Sequence, residues 1–171
     1  MALNEVYLGL GSNLGDPVGN IERAIEMLRQ RSHSLEVSRL YRTTPQGFRN
    51  QPDFVNAACR TWTDLDPFQL LEVALQIEQA VGRRRTFINA PRALDIDLLM
   101  YGNQVMQGPQ LTLPHPRMHI RSFVLRPLLD LAPELVHPVI GSTVAKMWEE
   151  LSKGDNLITP VERVARGMPD R

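Results

Sequence analysis

The sequence predicts an α+β fold in which an antiparallel sheet is covered by helices. Short β-prone runs alternate with longer segments of helical apolar spacing, in the order strand, helix, strand, strand, helix, strand. The chain has 171 residues, 43% of them apolar, which is enough for one compact core. We therefore expect a ferredoxin-like βαββαβ sandwich with C-terminal helical additions, as a single domain over 1–156. The remaining tail, 157–171, is expected to be loosely ordered.

The first strand and helix have clear start and stop signals. Residues 6–10 are apolar and β-prone, and the turn-forming triplet GSN at 11–13 ends the run. Asp16 followed by Pro17 is typical of an N-cap and a first helical residue, and apolar residues then recur at helical spacing. The pattern predicts a helix from Pro17 to about Arg31.

The next elements complete the order. Residues 35–41 and 54–62 are predicted to be two antiparallel strands separated by a loop rich in Pro, Gly, Gln and Asn. Asp66 and Pro67 repeat the helix-start signal, and Gly82 is expected to end that helix. Further elements are expected as a strand at 94–101, a short strand at 105–106, and helices at 120–131 and 144–151.

Composition argues against several partners. The 19 basic and 19 acidic residues give zero formal net charge, so we expect neither nucleic acid nor membrane as a partner. The start of the chain has no basic leader, and no apolar run approaches the ~20 residues of a membrane span, which favours a cytoplasmic location. The lone Cys59 cannot form an internal disulfide and is expected to be a small core residue.

Asp95 and Asp97 form the most informative pair. Alternation along a strand sends both carboxylates to one face and the neighbouring aliphatic residues to the other. Two anions about 6 Å apart repel by ~3 kcal/mol at an effective dielectric near 20, so the face must be open to water or hold a cation. A solvated outer face is the commoner explanation of an isolated pair. Hard oxygen donors without nearby His or Cys favour Mg²⁺ over zinc if a metal is present.

Arginines surround this strand in the sequence. Arg83, Arg84, Arg85 and Arg92 precede it, and Arg117, Arg121 and Arg126 follow. Carboxylates with a guanidinium cluster suit Mg²⁺-bound polyphosphate, because metal and arginine together neutralise the transferring group. Taken alone, the basic run after a helix is more simply a solvated loop.

Other nucleotide and metal motifs fail. The segment GLGSNLG has leucine at 14 where the dinucleotide fingerprint needs glycine, and no P-loop sequence occurs. Gly9 and Gly11 are better explained by close backbone approach or a tight strand exit. His115 and His119 have zinc-like spacing, but Pro116 lies between them and no HExxH glutamate is present. A hydrogen bond from His115 to phosphate is the favoured role.

Five ordered blocks carry a family resemblance. They read GLGSNLG, YRTTPQGFRNQPDFVNAA, EQAVGRRR, APRALDIDLLMYG and LTLPHPRMHIRSFVLRPL. Together, over about 4–138, the chain resembles the hydroxymethyldihydropterin pyrophosphokinases of folate biosynthesis, and the PRxLDIDLL and LPHPRMHxRxFVL motifs are specific. The resemblance implies a ferredoxin-like monomer that transfers pyrophosphate from MgATP to 6-hydroxymethyl-7,8-dihydropterin and releases AMP and the pterin diphosphate.

The resemblance also implies residue roles. Asp95 and Asp97 would be ligands of two Mg²⁺ ions bridging the ATP phosphates, and Glu78 would orient an arginine of the basic loop. The implied ATP contacts are Arg83, Arg85, Arg92, His115 and Arg121, of which Arg83 and Arg92 are also expected to be catalytic with the two aspartates. The implied pterin contacts are stacking by Phe54 and Phe123 and polar recognition by Asn56, Thr43, Thr44 and Gln46.

The chain departs from the family pattern at three places. Asn89 and Ala90 stand where Trp-Gly is usual, Thr44 where proline is common, and Phe54 where tyrosine is common. The first departure puts an aromatic contact from the basic loop in doubt, and the last keeps the stacking face.

Two rival functions remain open. Ferredoxin-like domains also bind RNA, although the chain has no RNP-type aromatic motif and carries two aspartates on one strand face. A diverged relative that binds pterin without catalysis is the other alternative, motivated by Asn89 and Ala90.

Overall fold

The sheet and helices follow the predicted order. A computed structural model describes residues 2–44, 50–82, 93–153 and 158–161. The elements are β1 (Asn4–Ser12), α1 (Pro17–Gln30), β2 (Ser34–Val37), β3 (Tyr41–Thr43), β4 (Phe54–Thr63), α2 (Pro67–Val81), β5 (Asp95–Tyr101), β6 (Met106–Gln107), β7 (Thr112–Leu113), a 3-10 turn (Met118–Ile120), α3 (Ser122–Leu131), α4 (Val144–Leu151) and β8 (Ile158–Pro160).

The main sheet has the ferredoxin-like strand order. Within the described residues it has six strands in the order β5, β1, β4, β3, β8, and β2 also pairs with β4. The strand pairs are antiparallel, and β1 lies between β5 and β4. The two strands joined through each helix are therefore separated by one other strand: β4 lies between β1 and β2, and β1 lies between β4 and β5. This is the split βαβ arrangement. The predicted βαββαβ fold is confirmed.

The predicted single strand 35–41 is two strands. Val37 pairs with Cys59 and Tyr41 pairs with Asn56, so three residues on this strand oppose two on β4. Ser38 spans the irregularity: its backbone N–H donates to the Ala58 carbonyl at 2.9 Å, and its hydroxyl accepts from the Ala58 N–H at 2.8 Å. A side chain thus replaces one ladder partner where the extra residue bends the strand.

The first face of the sheet is covered by α1 and α2. The Asp16 side chain accepts from the Gly19 N–H, and Asp66 forms a capping box with Gln69. Gly82 ends α2 with φ 98°, a conformation that favours glycine. Both predicted helix starts are confirmed, and α1 ends at Gln30, one residue before the predicted end.

The second face is covered as well, which the sequence did not predict. Residues of α3 and α4 form a separate apolar cluster with Tyr7 and Leu99 of the sheet. A register shift beside Tyr7 and Leu8 places Leu98 in the first cluster and both Leu99 and Met100 in the second. The bulge therefore directs two consecutive residues of β5, Leu99 and Met100, to the same apolar cluster. The two helices of the predicted sandwich thus lie on one face, and the predicted C-terminal helical additions cover the other.

The remaining elements differ in detail from the predictions. The short strand expected at 105–106 lies at Met106–Gln107 and pairs with β7 as a separate hairpin. Residues 158–160, expected to be loosely ordered, form β8 beside β3, because backbone pairing with the sheet edge stabilises them. The other tail residues and the domain limits stay predictions. Cys59 is buried as expected, and in the described part of the chain no helix is long and apolar enough for a membrane span.

Replacing Ser38 with alanine is expected to destabilise the fold by about 1–3 kcal/mol, because the buried Ala58 N–H loses its acceptor. Ser34→Ala, at an exposed position of β2, is the matched control. Urea unfolding monitored by circular dichroism checks both variants. Equal stability of Ser38→Ala and the control would contradict the bridging role.

Candidate active site

The pocket lies where two glycines leave the second face of the sheet without side chains. Gly11 of β1 stands between Asp95 of β5 and Asn56 of β4. A Cβ on Gly11 would lie only 3.0 Å from Asn56 Nδ2, so a larger residue there would crowd the neighbouring amide. The close approach at Gly11 is thus made by a side chain and not, as predicted for Gly9 and Gly11, by backbone. The pocket is lined by Gly9, Leu10, Gly11, Thr43, Thr44, Phe54, Asn56, Ala57, Asp95, Asp97, Arg121, Phe123 and Val124.

The acidic pair forms one wall of this pocket. Asp95 and Asp97 are half-buried and lie opposite Gly11 and Gly9, whereas Ile96 and Leu98 are buried in the first apolar cluster. The prediction that the carboxylates share one face and the aliphatic residues the other is confirmed. Glycine beside each carboxylate leaves room for a ligand over this part of β1.

Glu78 fixes the backbone between the two aspartates. Its side chain, on a residue only 3% exposed, accepts from the Ile96 N–H at 2.7 Å. Because β5 is a sheet edge, that N–H points away from β1 and needs a partner outside the ladder. The carboxylate thereby ties the last turn of α2 to the acidic strand. The role expected for Glu78, orienting an arginine of the basic loop, concerns residues outside the described part.

His115 is a neutral imidazole held between the charges of the site. Its backbone N–H donates to the Leu99 carbonyl at 2.8 Å, and its Nδ1 accepts from the Arg117 N–H at 3.1 Å. Burial is the main cause that lowers the pKa of His115 to about 4; Arg121 and Arg117 lower it further, and Asp95 opposes them. Because Nδ1 is an acceptor, the proton of the neutral ring lies on Nε2, which is a donor.

Two phenyl rings from different elements line the pocket. Phe54 begins β4 and Phe123 lies in the first turn of α3, and both are half-buried. The Arg121 guanidinium lies 5.5 Å from the centre of the Phe123 ring, a cation–π contact that keeps the arginine at the pocket. The two rings are far apart in the sequence, and only the family resemblance paired them.

Thr43 orients the amide of Asn56. The Thr43 hydroxyl donates to Asn56 Oδ1 at 2.7 Å, and both residues are 6% exposed. With its oxygen engaged, Asn56 turns its Nδ2 toward the open side at Gly11. The pocket therefore presents an amide donor whose orientation is set by a neighbouring hydroxyl.

The GSN triplet holds the strands around the pocket, a role that the turn signal alone did not indicate. The Ser12 hydroxyl donates to the Ala93 carbonyl just before β5. Asn13 Nδ2 donates to Gln51 Oε1 at 2.7 Å and to the Pro52 carbonyl at 3.1 Å, ahead of β4. The sequence signal that could have indicated this role was the pair of small polar residues at the end of the β-prone run. The structure buries both Ser12 and Asn13.

The structure brings together most of the predicted site. Asp95, Asp97 and Arg121 line the pocket with the predicted pterin contacts Thr43, Thr44, Phe54, Asn56 and Phe123, and His115 interacts electrostatically with Asp95 and Arg121. Gln46, Arg83, Arg85 and Arg92 lie outside the described residues, as do Asn89 and Ala90. Leu10, Ala57 and Val124 also line the pocket and were not predicted as site residues.

Fold and pocket define a class: an α+β protein with a pocket on one face of its antiparallel sheet, lined by two phenylalanines, two aspartates and an arginine. The family model for 7,8-dihydro-6-hydroxymethylpterin-pyrophosphokinase matches residues 7–133. The chain belongs to this family.

Relatives agree with that assignment. The chain is 34% identical over 161 residues to the 2-amino-4-hydroxy-6-hydroxymethyldihydropteridine pyrophosphokinase of Bacillus subtilis, covering 91% of this chain and 96% of that protein. It is 42% identical over 154 residues to the folic acid synthesis protein FOL1 of Dictyostelium discoideum, covering 90% of this chain. The chain spans only 23% of that longer relative.

A solved structure supports the fold independently. The crystal structure of Plasmodium falciparum HPPK-DHPS superposes with a TM-score of 0.73 over 87% of this chain and 45% of that chain. The sequence identity is 17%, so this likeness concerns the fold alone.

His115 is expected to titrate by NMR with a midpoint at about pH 4, well below its ordinary value of 6.5. Because the folded state disfavours protonation of His115, the neutral imidazole contributes to the free energy of unfolding above about pH 6.5. That contribution is lost as the pH falls from about 6.5 toward 4. Arg121→Gln should raise the pKa of His115, because a cation is removed, and Asp95→Asn should lower it. A wild-type midpoint near 6.5, or shifts of the opposite sign, would contradict this account of the site.

Proposed function

We propose that the protein transfers the pyrophosphoryl group of ATP to 6-hydroxymethyl-7,8-dihydropterin, giving AMP and the pterin diphosphate for folate biosynthesis. The observation that supports this most directly is one pocket lined by two carboxylates, an arginine, two phenyl rings and an oriented amide donor. The same chain belongs to a pyrophosphokinase family. Charged groups suit the triphosphate, and rings with directed polar groups suit a flat heteroaromatic.

Asp95 and Asp97 fit a magnesium site. Both offer hard carboxylate oxygens in a half-buried setting, with glycines beside them on β1. Among the described residues no cluster of three or more His, Cys, Asp or Glu forms a complete cage, so phosphate oxygens and water would complete the coordination, as Mg²⁺ prefers. Bound there, two Mg²⁺ ions would neutralise phosphate charge and polarise the transferring group.

The chain's own residues would bind and orient the reactants. Phe54 and Phe123 would stack on the pterin, and Asn56 Nδ2 would donate to an acceptor on its edge, with Thr44 and Gln46 as further polar contacts. This placement would aim the hydroxymethyl oxygen in line at the β-phosphorus, with AMP leaving. The new O–P bond forms as the bond to the AMP oxygen breaks, and the hydroxyl proton passes to solvent.

Arg121 and His115 would act on the phosphates. Arg121 lies at the pocket, and the neutral His115 would donate through Nε2, because a ring with a pKa near 4 is a poor base at neutral pH. We include Arg83, Arg85 and Arg92 as further phosphate contacts on the family pattern, with Arg83 and Arg92 contributing to the chemical step. Stabilisation of charge and positioning account for the catalysis, as in other phosphoryl transfers.

The nucleic-acid alternative is less favoured by the architecture. An RNA-binding sheet of this type exposes a face on which bases stack. Here α3 and α4 cover part of the second face, and the pocket beside them carries Asp95 and Asp97. Those carboxylates would repel a phosphate backbone. The monomeric state and the cytoplasmic location stay predictions.

AMP release from MgATP is expected only when 6-hydroxymethyl-7,8-dihydropterin is present. Asp95→Asn and Asp97→Asn should each lower that rate by roughly a hundredfold or more, because a metal site supplies several kcal/mol of charge stabilisation. Chelation by EDTA should abolish the activity, and added Mg²⁺ should restore it.

Asp64→Asn is the matched control for these variants, because its carboxylate pairs with His33 and does not line the pocket. Pterin binding by the wild type without AMP release would identify the non-catalytic alternative. AMP release that survives both pocket substitutions would contradict the metal site.

Thr43→Val is expected to weaken pterin binding about fivefold, because loss of one directing hydrogen bond costs roughly 1 kcal/mol and frees the Asn56 amide to rotate. ATP affinity should stay unchanged. Thr43→Ser keeps the hydroxyl and should restore binding, which separates the hydrogen bond from packing. Calorimetric titration with each ligand checks the expectation, and equal affinities for valine and serine variants would contradict it.

A further inference from the structure

A polar cluster joins the C-terminal end of α3 to β3. Asp130 Oδ2 accepts from the Tyr41 hydroxyl at 2.7 Å and from the Arg39 backbone N–H at 3.0 Å. Asp130 Oδ1 accepts from Arg126 Nη1 at 3.1 Å, and the Arg126 guanidinium lies 4.9 Å from the centre of the Tyr41 ring. We call these four residues the Asp130 cluster. They are not among the described residues that line the pocket.

The cluster is buried enough to be directional and strong. Tyr41 is 1% exposed, and the Asp130 side chain is 19% exposed. Burial, and next the hydrogen bond to Asp130, raise the pKa of Tyr41 to about 12, so its hydroxyl stays protonated and donates at neutral pH. Hydrogen bonds to an ionised carboxylate are shorter and stronger than neutral ones.

Both sides of the cluster lead to the pocket. On β3, Tyr41 pairs with Asn56 and lies two residues before Thr43, so it shares their face of the sheet. On α3, Phe123 lies seven residues before Asp130, which is about two turns or roughly 10 Å along the helix. A shift of α3 at Asp130 therefore moves one pocket wall relative to the other.

Helix α3 needs such a tie. Pro127 lies within it and has no N–H, so the Phe123 carbonyl lacks its usual helical hydrogen bond. Val124, Leu125 and Leu128 pack into the second apolar cluster, but apolar burial is not directional. The Asp130 cluster supplies contacts that fix how far along β3 and at which rotation the helix packs.

We propose that Asp130 and Tyr41 are positioning residues that set the separation between Phe123 on α3 and Phe54 on β4, and hence the fit of the pterin ring. Neither residue touches the substrate in this account; both act through the docking of α3. The inference rests on the proposed function for its ligand, and on the fold alone for the effect on the helix.

The test compares Tyr41→Phe, Asp130→Asn and the double variant in the full chain. Both single changes preserve side-chain shape. KM for the pterin should rise about five- to tenfold, because a charge-assisted hydrogen bond is lost, while KM for ATP stays within about twofold. The double variant should raise the pterin KM no further than the more impaired single variant, since each single change already weakens the one hydrogen bond that joins Tyr41 to Asp130. Hydrogen exchange should become faster in 122–131 and stay unchanged in 144–151.

Glu36→Gln is the control, because it weakens the Glu36–Arg60 pair, whose glutamate side chain is 47% exposed on β2. It should change neither KM nor the exchange of α3. Lower melting temperatures with unchanged pterin KM would reduce the cluster to a structural role and overturn the proposal. A wild type that releases no AMP would contradict the proposed function instead. The exchange comparison would then decide alone, and unchanged α3 exchange in Tyr41→Phe would overturn the positioning role.

Discussion

The end of strand β1 must pair on both edges while Gly9 and Gly11 present no side chain to the second face, and the site depends on this constraint. Its Val6, Leu8 and Leu10 fill the first apolar cluster, while glycine at 9 and 11 leaves the other face bare. Hydrogen bonding to β4 and β5 holds the backbone in place without help from side chains there. A pocket can therefore form directly on the sheet, with the acidic strand on one side and Asn56 on the other.

The pocket places two carboxylates, Asp95 and Asp97, near the guanidinium of Arg121 and the neutral imidazole of His115. The carboxylates of Asp95 and Asp97 would repel each other over a short distance, and His115 stands within electrostatic range of both Asp95 and Arg121. Burial and the neighbouring arginines keep the imidazole neutral, so it adds a donor without adding a second cation. Glu78 fixes the strand backbone from the opposite side through Ile96. Under the proposed function, this arrangement would receive a highly charged ligand together with a cation.

The sequence predicted the elements better than their packing. Capping residues and helical spacing placed α1 and α2 nearly to the residue, because those signals are local. The break at Ser38 depends on a register difference against β4, and the second helical layer depends on tertiary contacts of α3 and α4, so neither has a local signature. Likewise, alternation predicted the shared face of Asp95 and Asp97, whereas the presence of Phe54 and Phe123 in one pocket was predicted only from the family resemblance.

The residues hardest to predict are those that act at a distance along the chain. Tyr41 and Asp130 are 89 positions apart, and each alone has an ordinary explanation as a core tyrosine or a helix-surface acid. Their hydrogen bond matters because β3 and α3 each carry a wall of the same pocket. A site built from a short strand and a proline-containing helix needs such hydrogen bonds. Apolar packing is not directional, so small displacements between the two elements would otherwise cost little free energy. The geometry of the pocket thus depends on the hydrogen bonds between β3 and α3 as much as on the residues that line it.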